Sequence, residues 1–94
     1  MVDAERVNFG WSITGSAPFR PTIVFDDGRF TYIRLPAVQD MPALFAIDAG
    51  QMRVIDYAVR GDTMVVPRVS EAFVLRLGSQ SVEIRQNASS SASR

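Results

Sequence analysis

Two adjacent carboxylates, Asp26 and Asp27, have the clearest chemical potential, because they stand beside a glycine in the stretch VFDDGRFTYIRLP. Such a pair could form half of a glycosidase site or supply oxygen ligands to calcium. Hydrolysis requires two carboxyl groups that converge across a cleft, whereas neighbouring residues at the end of a strand point to opposite sides. An Asp-Gly pair between two apolar runs is also a strong hairpin signal. The sequence therefore predicts a turn here and no catalytic residue.

The rest of the composition excludes several kinds of site. The chain has no His and no Cys, so Ser-His-Asp and Cys-His arrangements and the usual zinc sites cannot form. Asp48 and Asp62 could join Asp26 and Asp27 around calcium at one end of a domain, but no D-x-D-x-D spacing occurs. We therefore predict no metal, no cofactor and no enzymatic activity, with solvated turn carboxylates as the alternative to a calcium site.

Charge and hydropathy narrow the choice of partners. Ten basic and ten acidic residues cancel, so the electrostatic signature of nucleic-acid binding is absent. No apolar run approaches the ~18 residues that a membrane-spanning helix needs. The start, MVDAERVNFGW, lacks the basic and apolar regions of a signal peptide, so we expect no targeting segment in this chain.

The elements that must position these residues are short strands. Apolar runs rich in β-branched and aromatic residues recur about every 8 to 12 residues with turn signals between them, and helical periodicity is missing. This pattern predicts an all-β fold, an antiparallel β-sandwich of about eight short strands and of immunoglobulin-like size, over residues 7–86. Residues 1–6 are expected to be a flexible lead and 87–94 a disordered tail. The predicted strands are Val7–Thr14, Pro21–Asp26, Arg29–Leu35, Leu44–Asp48, Arg53–Arg60, Thr63–Pro67, Ala72–Gly78 and Gln80–Gln86.

Alternation of apolar and polar residues predicts which side chains face inward. Phe73, Leu75 and Leu77 share one face of their strand, and it should form a half-buried hairpin with the strand that follows. The run Arg53–Arg60 is apolar on one face and, except for the Asp56 carboxylate, on the other, so we expect a central strand or one covered by something else. The segment PAVQDMP, bracketed by two prolines, should be a loop or a crossing between sheets.

The order of these segments resembles a known family. NFGWSITG, FRPTIVFDDGRFTYIRLP, MPALFAID, VIDYAVRGDTMVVPRV and FVLRLGSQSVEIR are similar, in this order, to the C-terminal domain of the TrbG/CagX family, the outer-membrane-complex subunit of type IV secretion and conjugal transfer systems. The similarity covers nearly all of Val7 to Arg85. The family's C-terminal domain is a β-sandwich, in agreement with the strand pattern.

The resemblance implies a structural and interaction module rather than an enzyme. In such systems this domain resides in the periplasm, associated with the outer membrane, and binds a small outer-membrane lipoprotein and a TrbI-like channel subunit within a homo-oligomeric ring. Full-length members also carry a signal peptide and an N-terminal domain, so this chain looks like an excised C-terminal domain.

Aromatic side chains are the candidate partner contacts, because they dominate the energy of buried interfaces. Phe9, Trp11, Tyr32 and Tyr57 are the four candidates, with a place in the core as the alternative for each. The competing function is a carbohydrate- or calcium-binding accessory β-sandwich, in which Trp11 and Tyr32 stack on sugar rings.

Overall fold

The computed structural model describes residues 7–36 and 40–87, and nine strands form within these ranges. They pair antiparallel in a five-stranded sheet of order β1-β9-β8-β4-β5 and a four-stranded sheet of order β2-β3-β7-β6. The predicted all-β sandwich is confirmed. The strands are β1 (Trp11–Thr14), β2 (Ile23–Asp26), β3 (Thr31–Arg34), β4 (Ala43–Asp48), β5 (Gln51–Val54), β6 (Ala58–Arg60), β7 (Thr63–Val66), β8 (Ala72–Leu77) and β9 (Gln80–Gln86).

The predicted terminal segments fall almost entirely outside the described residues. The lead 1–6 and residues 88–94 of the tail lie beyond them, whereas Asn87 donates its backbone N–H to the Gly10 carbonyl. Within the described ranges, no helix is long and apolar enough to span a membrane.

The core lies between the two sheets and takes alternate residues from each strand. Phe73 and Leu75 of β8 are fully buried, which confirms the predicted inward face, while Leu77 at the end of the strand is 37% exposed. Val82 and Ile84 of β9 are also fully buried, so the predicted hairpin of these two strands is confirmed. The buried cluster comprises Trp11, Phe19, Val24, Ile33, Leu35, Leu44, Ala46, Met64, Val66, Phe73, Leu75, Val82 and Ile84.

Glycines occupy the turn positions that require a positive φ. Gly28 has a φ of +90° in the β2–β3 hairpin, and Gly61 has a φ of +63° in the two-residue turn between β6 and β7. A further two-residue turn, Ala49-Gly50, joins β4 to β5 and has positive φ at both residues. The sequence did not predict this turn, because alanine seldom adopts a positive φ.

Two segments predicted as single strands instead cross from one sheet to the other. The predicted strand Arg53–Arg60 is wrong, because β5 ends at Val54 in the five-stranded sheet and β6 begins at Ala58 in the four-stranded sheet. Its apolar residues on both faces therefore mark a crossing, and both halves are exposed edge strands rather than covered ones.

The predicted strand Val7–Thr14 divides in the same way. Asn8 forms an isolated bridge with Asp26 of β2, whereas Trp11 begins β1 and pairs with β9. The PAVQDMP segment joins β3 to β4 and so crosses between the sheets as predicted, although its residues 37–39 lie outside the described ranges.

Candidate partner-binding site

The four aromatic residues singled out from the sequence occupy different environments. Trp11 is only 8% exposed and packs in the core, where its ring centroid lies 5.8 Å from that of Phe73. Phe9 is 59% exposed. Tyr32 and Tyr57 are half-buried and line one groove on the outer face of the four-stranded sheet. The structure therefore places the two tyrosines in one groove, Phe9 on the surface and Trp11 inside the sandwich.

We call this depression the aromatic groove, and its volume is about 700 Å³. Each strand of the sheet contributes one residue to it, because Phe25, Tyr32, Val65 and Ala58 stand opposite one another across β2, β3, β7 and β6. The groove is therefore a feature of the sheet itself. Its lining includes Phe25, Phe30, Tyr32, Asp56, Tyr57, Ala58, Arg60, Thr63, Val65 and Pro67.

One wall of the groove is a series of aromatic rings. Phe25 and Tyr32 are stacked, with centroids 4.9 Å apart and an interplanar angle of 16°. Phe30 lies 6.4 Å from Tyr32, and Phe9 extends the series on the other side at 5.3 Å from Phe25. Aromatic pairs at these distances contribute about 0.5–1.5 kcal/mol each beyond the area they bury. The wall is therefore formed before any partner arrives.

Asp27 fixes this wall. Its Oδ1 accepts the backbone N–H groups of Arg29 at 3.0 Å and Phe30 at 2.8 Å, and its Oδ2 accepts the Tyr32 hydroxyl at 3.2 Å. These donors, led by the Phe30 and Arg29 N–H groups, lower the pKa of Asp27 below its usual 3.8. Burial and the Asp27 charge raise the pKa of Tyr32. The turn carboxylate thus holds two groove rings in place.

Asp26 points to the other side of the hairpin, as predicted for adjacent residues. Its Oδ2 accepts Trp11 Nε1–H at 2.8 Å and Asn8 Nδ2–H at 3.1 Å, and its Oδ1 accepts the Gly28 N–H at 2.9 Å. Asp26 and Asp27 are only 5% and 4% exposed as whole residues, so they are not the solvated turn residues that were expected. Both are buried structural acceptors.

The wall of the groove opposite the rings carries two charges. Arg60 lies at one end of the groove, opposite Thr63 of β7 in the strand register. Asp56 lies two residues before Ala58 and therefore toward Pro67, at the other end of the groove. Within the described residues, neither charge takes part in an ion pair. The apolar base between them therefore separates two unneutralised charges of opposite sign.

Strand β6 forms the free edge beside this wall. The residue pair next to a two-residue turn is hydrogen-bonded, so Arg60 and Ala58 bond to β7 and the backbone groups of Val59 face outward. All three residues of the strand are exposed. The groove thus adjoins an edge that could accept another strand.

The other predicted tyrosine, Tyr57, donates its hydroxyl to the Pro42 carbonyl at 2.9 Å, and burial raises the pKa of this hydroxyl.

The remaining aspartates of the calcium hypothesis do not converge on the Asp26–Asp27 pair. Asp62 pairs with Arg34 at 2.9 Å at the opposite end of the four-stranded sheet, and this contact lowers its pKa. Asp48 has a lowered pKa chiefly through hydrogen bonding by Ser70. Across residues 7–36 and 40–87, no cluster of three or more acidic, His or Cys side chains could hold a metal ion.

Sequence reasoning found the two tyrosines but missed the other groove residues. Phe25 and Tyr32 alternate with the buried Val24 and Ile33 on either side of the Asp-Gly turn. That alternation could have identified a paired aromatic face. The contribution of Asp56 depends on the crossing between β5 and β6, and no local signal indicates it.

Comparison with known proteins identifies the family of this chain. Residues 2–87 match the model of the CagX family, described as conjugal transfer protein. The chain belongs to the CagX family. This confirms the resemblance to the TrbG/CagX group that the order of its segments indicated.

Relatives of this CagX-family chain carry consistent names. It is 35% identical over 77 residues to a "Probable conjugal transfer protein TrbG" of Sinorhizobium fredii, an alignment that covers 79% of this chain and 28% of the relative. It is 40% identical over 86 residues to a "Type IV secretion system protein virB9" of Brucella abortus, covering 83% and 29%. A "Protein virB9" of Agrobacterium fabrum is 32% identical over 78 residues, covering 82% and 27%. The chain spans less than a third of the length of these curated relatives.

Proposed function

We propose that this chain is a non-catalytic assembly module of a type IV secretion or conjugation complex, located in the periplasm and associated with the outer membrane. The observation that carries the proposal is the aromatic groove, a pre-formed apolar surface beside the exposed edge strand β6. CagX membership, and relatives named for conjugal transfer and type IV secretion, supply the setting. Among the described lining residues, Asp56 is the single carboxylate, which fits binding better than hydrolysis.

The proposed occupant of the groove is an extended segment of a small outer-membrane lipoprotein. Aromatic side chains such as Tyr32 and Phe25 give large contact area at low entropic cost, so they suit the centre of such an interface. Alternate side chains of the segment would enter the groove, and where the segment leaves the groove past β6 its main chain would bond to the outward backbone groups of Val59. Phe9 would contact the segment where the aromatic wall continues beyond Phe25.

A second surface supports contact with a TrbI-like channel subunit and with neighbouring copies in a homo-oligomeric ring. On the five-stranded sheet, Met52 and Val54 of β5 are 47% and 67% exposed. Phe45 is half-buried beside Val54, and the Arg76 guanidinium lies 5.5 Å from its ring centroid. This surface belongs to the opposite sheet from the aromatic groove, so two partners could bind without overlap.

A titration of the isotope-labelled chain tests the lipoprotein assignment. The ligand is the N-terminal peptide of the lipoprotein encoded beside this protein, and backbone amide shifts report binding. We expect saturable shifts around Tyr32, Val65 and Ala58. Tyr32→Ala should weaken binding more than tenfold, as truncation of a central aromatic anchor does. Phe45→Ala, which removes a ring from the opposite sheet, serves as the matched control and should leave binding unchanged.

Other results would redirect the proposal. Shifts confined to Met52 and Val54 would assign the lipoprotein to the five-stranded sheet. No shifts at millimolar peptide would overturn lipoprotein binding by this chain. The exposed rings also favour a carbohydrate ligand, because sugars stack on aromatic faces. Saturable shifts of the groove residues with chitin or peptidoglycan oligosaccharides, and none with peptide, would establish that alternative.

A further inference from the structure

We propose that the aromatic groove selects its peptide by charge order, taking a segment with an acidic residue at the Arg60 end and a basic residue at the Asp56 end. This inference rests on the proposed function, since it specifies the chemistry of the segment that the groove accepts. It makes Arg60 and Asp56 the residues that determine specificity and direction, whereas the aromatic wall supplies contact area.

The dimensions of the groove set the length of the segment. Strand β7 runs along its base from Thr63 to Val66, and Pro67 follows at the far end. Four residue steps at about 3.3 Å each give a length of about 13 Å. An extended segment of about five residues therefore fills the groove from one charged end to the other.

The placement of the charges defines the order. Arg60 stands opposite Thr63, and Asp56 lies toward Pro67, so the two charges flank the apolar base formed by Ala58 and Val65. A segment with complementary ends gains two attractive contacts in one direction. In the reverse direction it meets two like charges, which disfavour the wrong orientation.

Both charges are free to act on a ligand. The salt bridges among the described residues are formed by three other arginines. They are Arg34 with Asp62, Arg68 with Asp48 and Arg85 with Glu83. Arg60 and Asp56 are exposed, and no ion pair within the described ranges includes either of them. A partner therefore does not have to break an internal ion pair to reach them.

The test uses four capped synthetic pentapeptides that share one three-residue apolar centre, so that their end residues lie about 13 Å apart in an extended segment. Their end residues are Arg then Glu, Glu then Arg, Arg and Arg, or Glu and Glu, and backbone amide shifts of Val65 and Ala58 report binding. We expect both mixed peptides, each lying in the direction that matches its charges to Arg60 and Asp56, to bind about tenfold more tightly than the two like-charged peptides, the size that two weak exposed ion pairs can give. The preference should shrink in high salt because exposed charges are screened.

Charge-reversed variants identify the residues responsible. Asp56→Arg leaves both ends of the groove positive and should prefer the peptide with two Glu ends, whereas Arg60→Asp leaves both ends negative and should prefer the peptide with two Arg ends. The matched controls, Asp40→Arg and Arg53→Asp, make the same changes at exposed charges outside the groove and should keep the preference for mixed peptides. Equal binding of all four peptides, a preference that the two groove variants leave unchanged, or no binding by any peptide would each overturn the inference.

The same variants separate this inference from the proposed function. If the lipoprotein peptide binds the groove of the wild-type chain and of the two charge-reversed variants equally, the proposed function stands and charge selection is wrong. If the lipoprotein peptide fails to bind while the synthetic peptides show a charge preference that the two variants change as expected, charge selection stands and the lipoprotein is not the partner.

Discussion

Two of the crossings between the sheets lie at opposite edges of the sandwich, and they are built differently. On one side, Asn8 and Trp11 converge on the buried Asp26 carboxylate, and the Asn8 backbone bonds to Asp26 in both directions. On the other side, residues 55–57 join β5 to β6, and all seven residues of these two strands are exposed. We call them the closed side and the open side.

The closed side contributes to the stability of the fold, whereas the open side is available for binding a partner. Buried polar groups that are fully hydrogen-bonded hold the closed side in one arrangement, because breaking any of them leaves an unpaired donor. The open side keeps unpaired backbone groups that a partner strand can use. Its two strands are short, and Arg53 on β5 places a charge on the edge, which limits uncontrolled pairing.

The largest effect should come from removing the ring of the closed side. Trp11→Ala empties a buried site beside Phe73, so we expect a loss of about 3–5 kcal/mol in unfolding free energy. Val54→Ala on the open side should cost less than about 0.5 kcal/mol, because that residue is 67% exposed. Urea unfolding measures both. Similar losses for the two variants would contradict the contrast between the sides.

A smaller loss should follow from changing only the acceptor of the closed side. The two Asp26 oxygens accept three hydrogen bonds, from Asn8, Trp11 and Gly28. The variant Asp26→Asn has only one side-chain oxygen at this position, so its NH2 group must face at least one of these donors. We expect a cost of about 1–2 kcal/mol and faster amide exchange at Asn8. Trp11→Phe, which keeps a ring but removes one donor, provides the comparison. Unchanged exchange at Asn8 would mean that its backbone pairing does not need the carboxylate.

On the open side, a charge removal should change association rather than stability. Arg53→Val makes β5 a more apolar edge, so we expect the isolated chain to self-associate at lower concentrations than the wild type. The unfolding free energy should change by less than about 0.5 kcal/mol. Sedimentation velocity measures the association, with Arg85→Val on the central strand β9 as the control. Equal association of both variants would show that β5 is not the reactive edge.

Much of this architecture follows from local sequence signals. The Asp-Gly hairpin, the Gly61 and Gly78 turns and the inward face of β8 follow from turn chemistry and period-2 alternation. The two crossings do not, because an apolar run reads the same whether it continues in one sheet or passes to another. Only part of the aromatic groove could be predicted. Tyr32 lies on a predicted strand, whereas the place of Asp56 depends on the crossing between β5 and β6.

The smallest expected effect concerns the pH dependence of the aromatic wall of the groove, which lies toward the closed side. The pKa of Asp27 is lowered from its usual 3.8, chiefly by the N–H of Phe30, so its stabilising contribution is present above that pH and is lost as the pH falls through the folded value. Asp48 and Asp62 also have lowered pKa values and act in the same direction. The wild type should therefore lose stability as the pH drops below about 4.

Asp27→Asn removes one of these three contributions, so its unfolding free energy should depend less steeply on pH in this acidic window, by at most about one proton in the slope. Urea unfolding at a series of pH values measures it. Asp40→Asn, which removes an exposed carboxylate outside the β2–β3 hairpin, is the matched control for loss of one negative charge. If Asp27→Asn keeps the wild-type slope, the carboxylate does not hold the Phe30 and Tyr32 rings through its charge. The wall of the aromatic groove would then depend on ring packing and on the backbone of the β2–β3 hairpin.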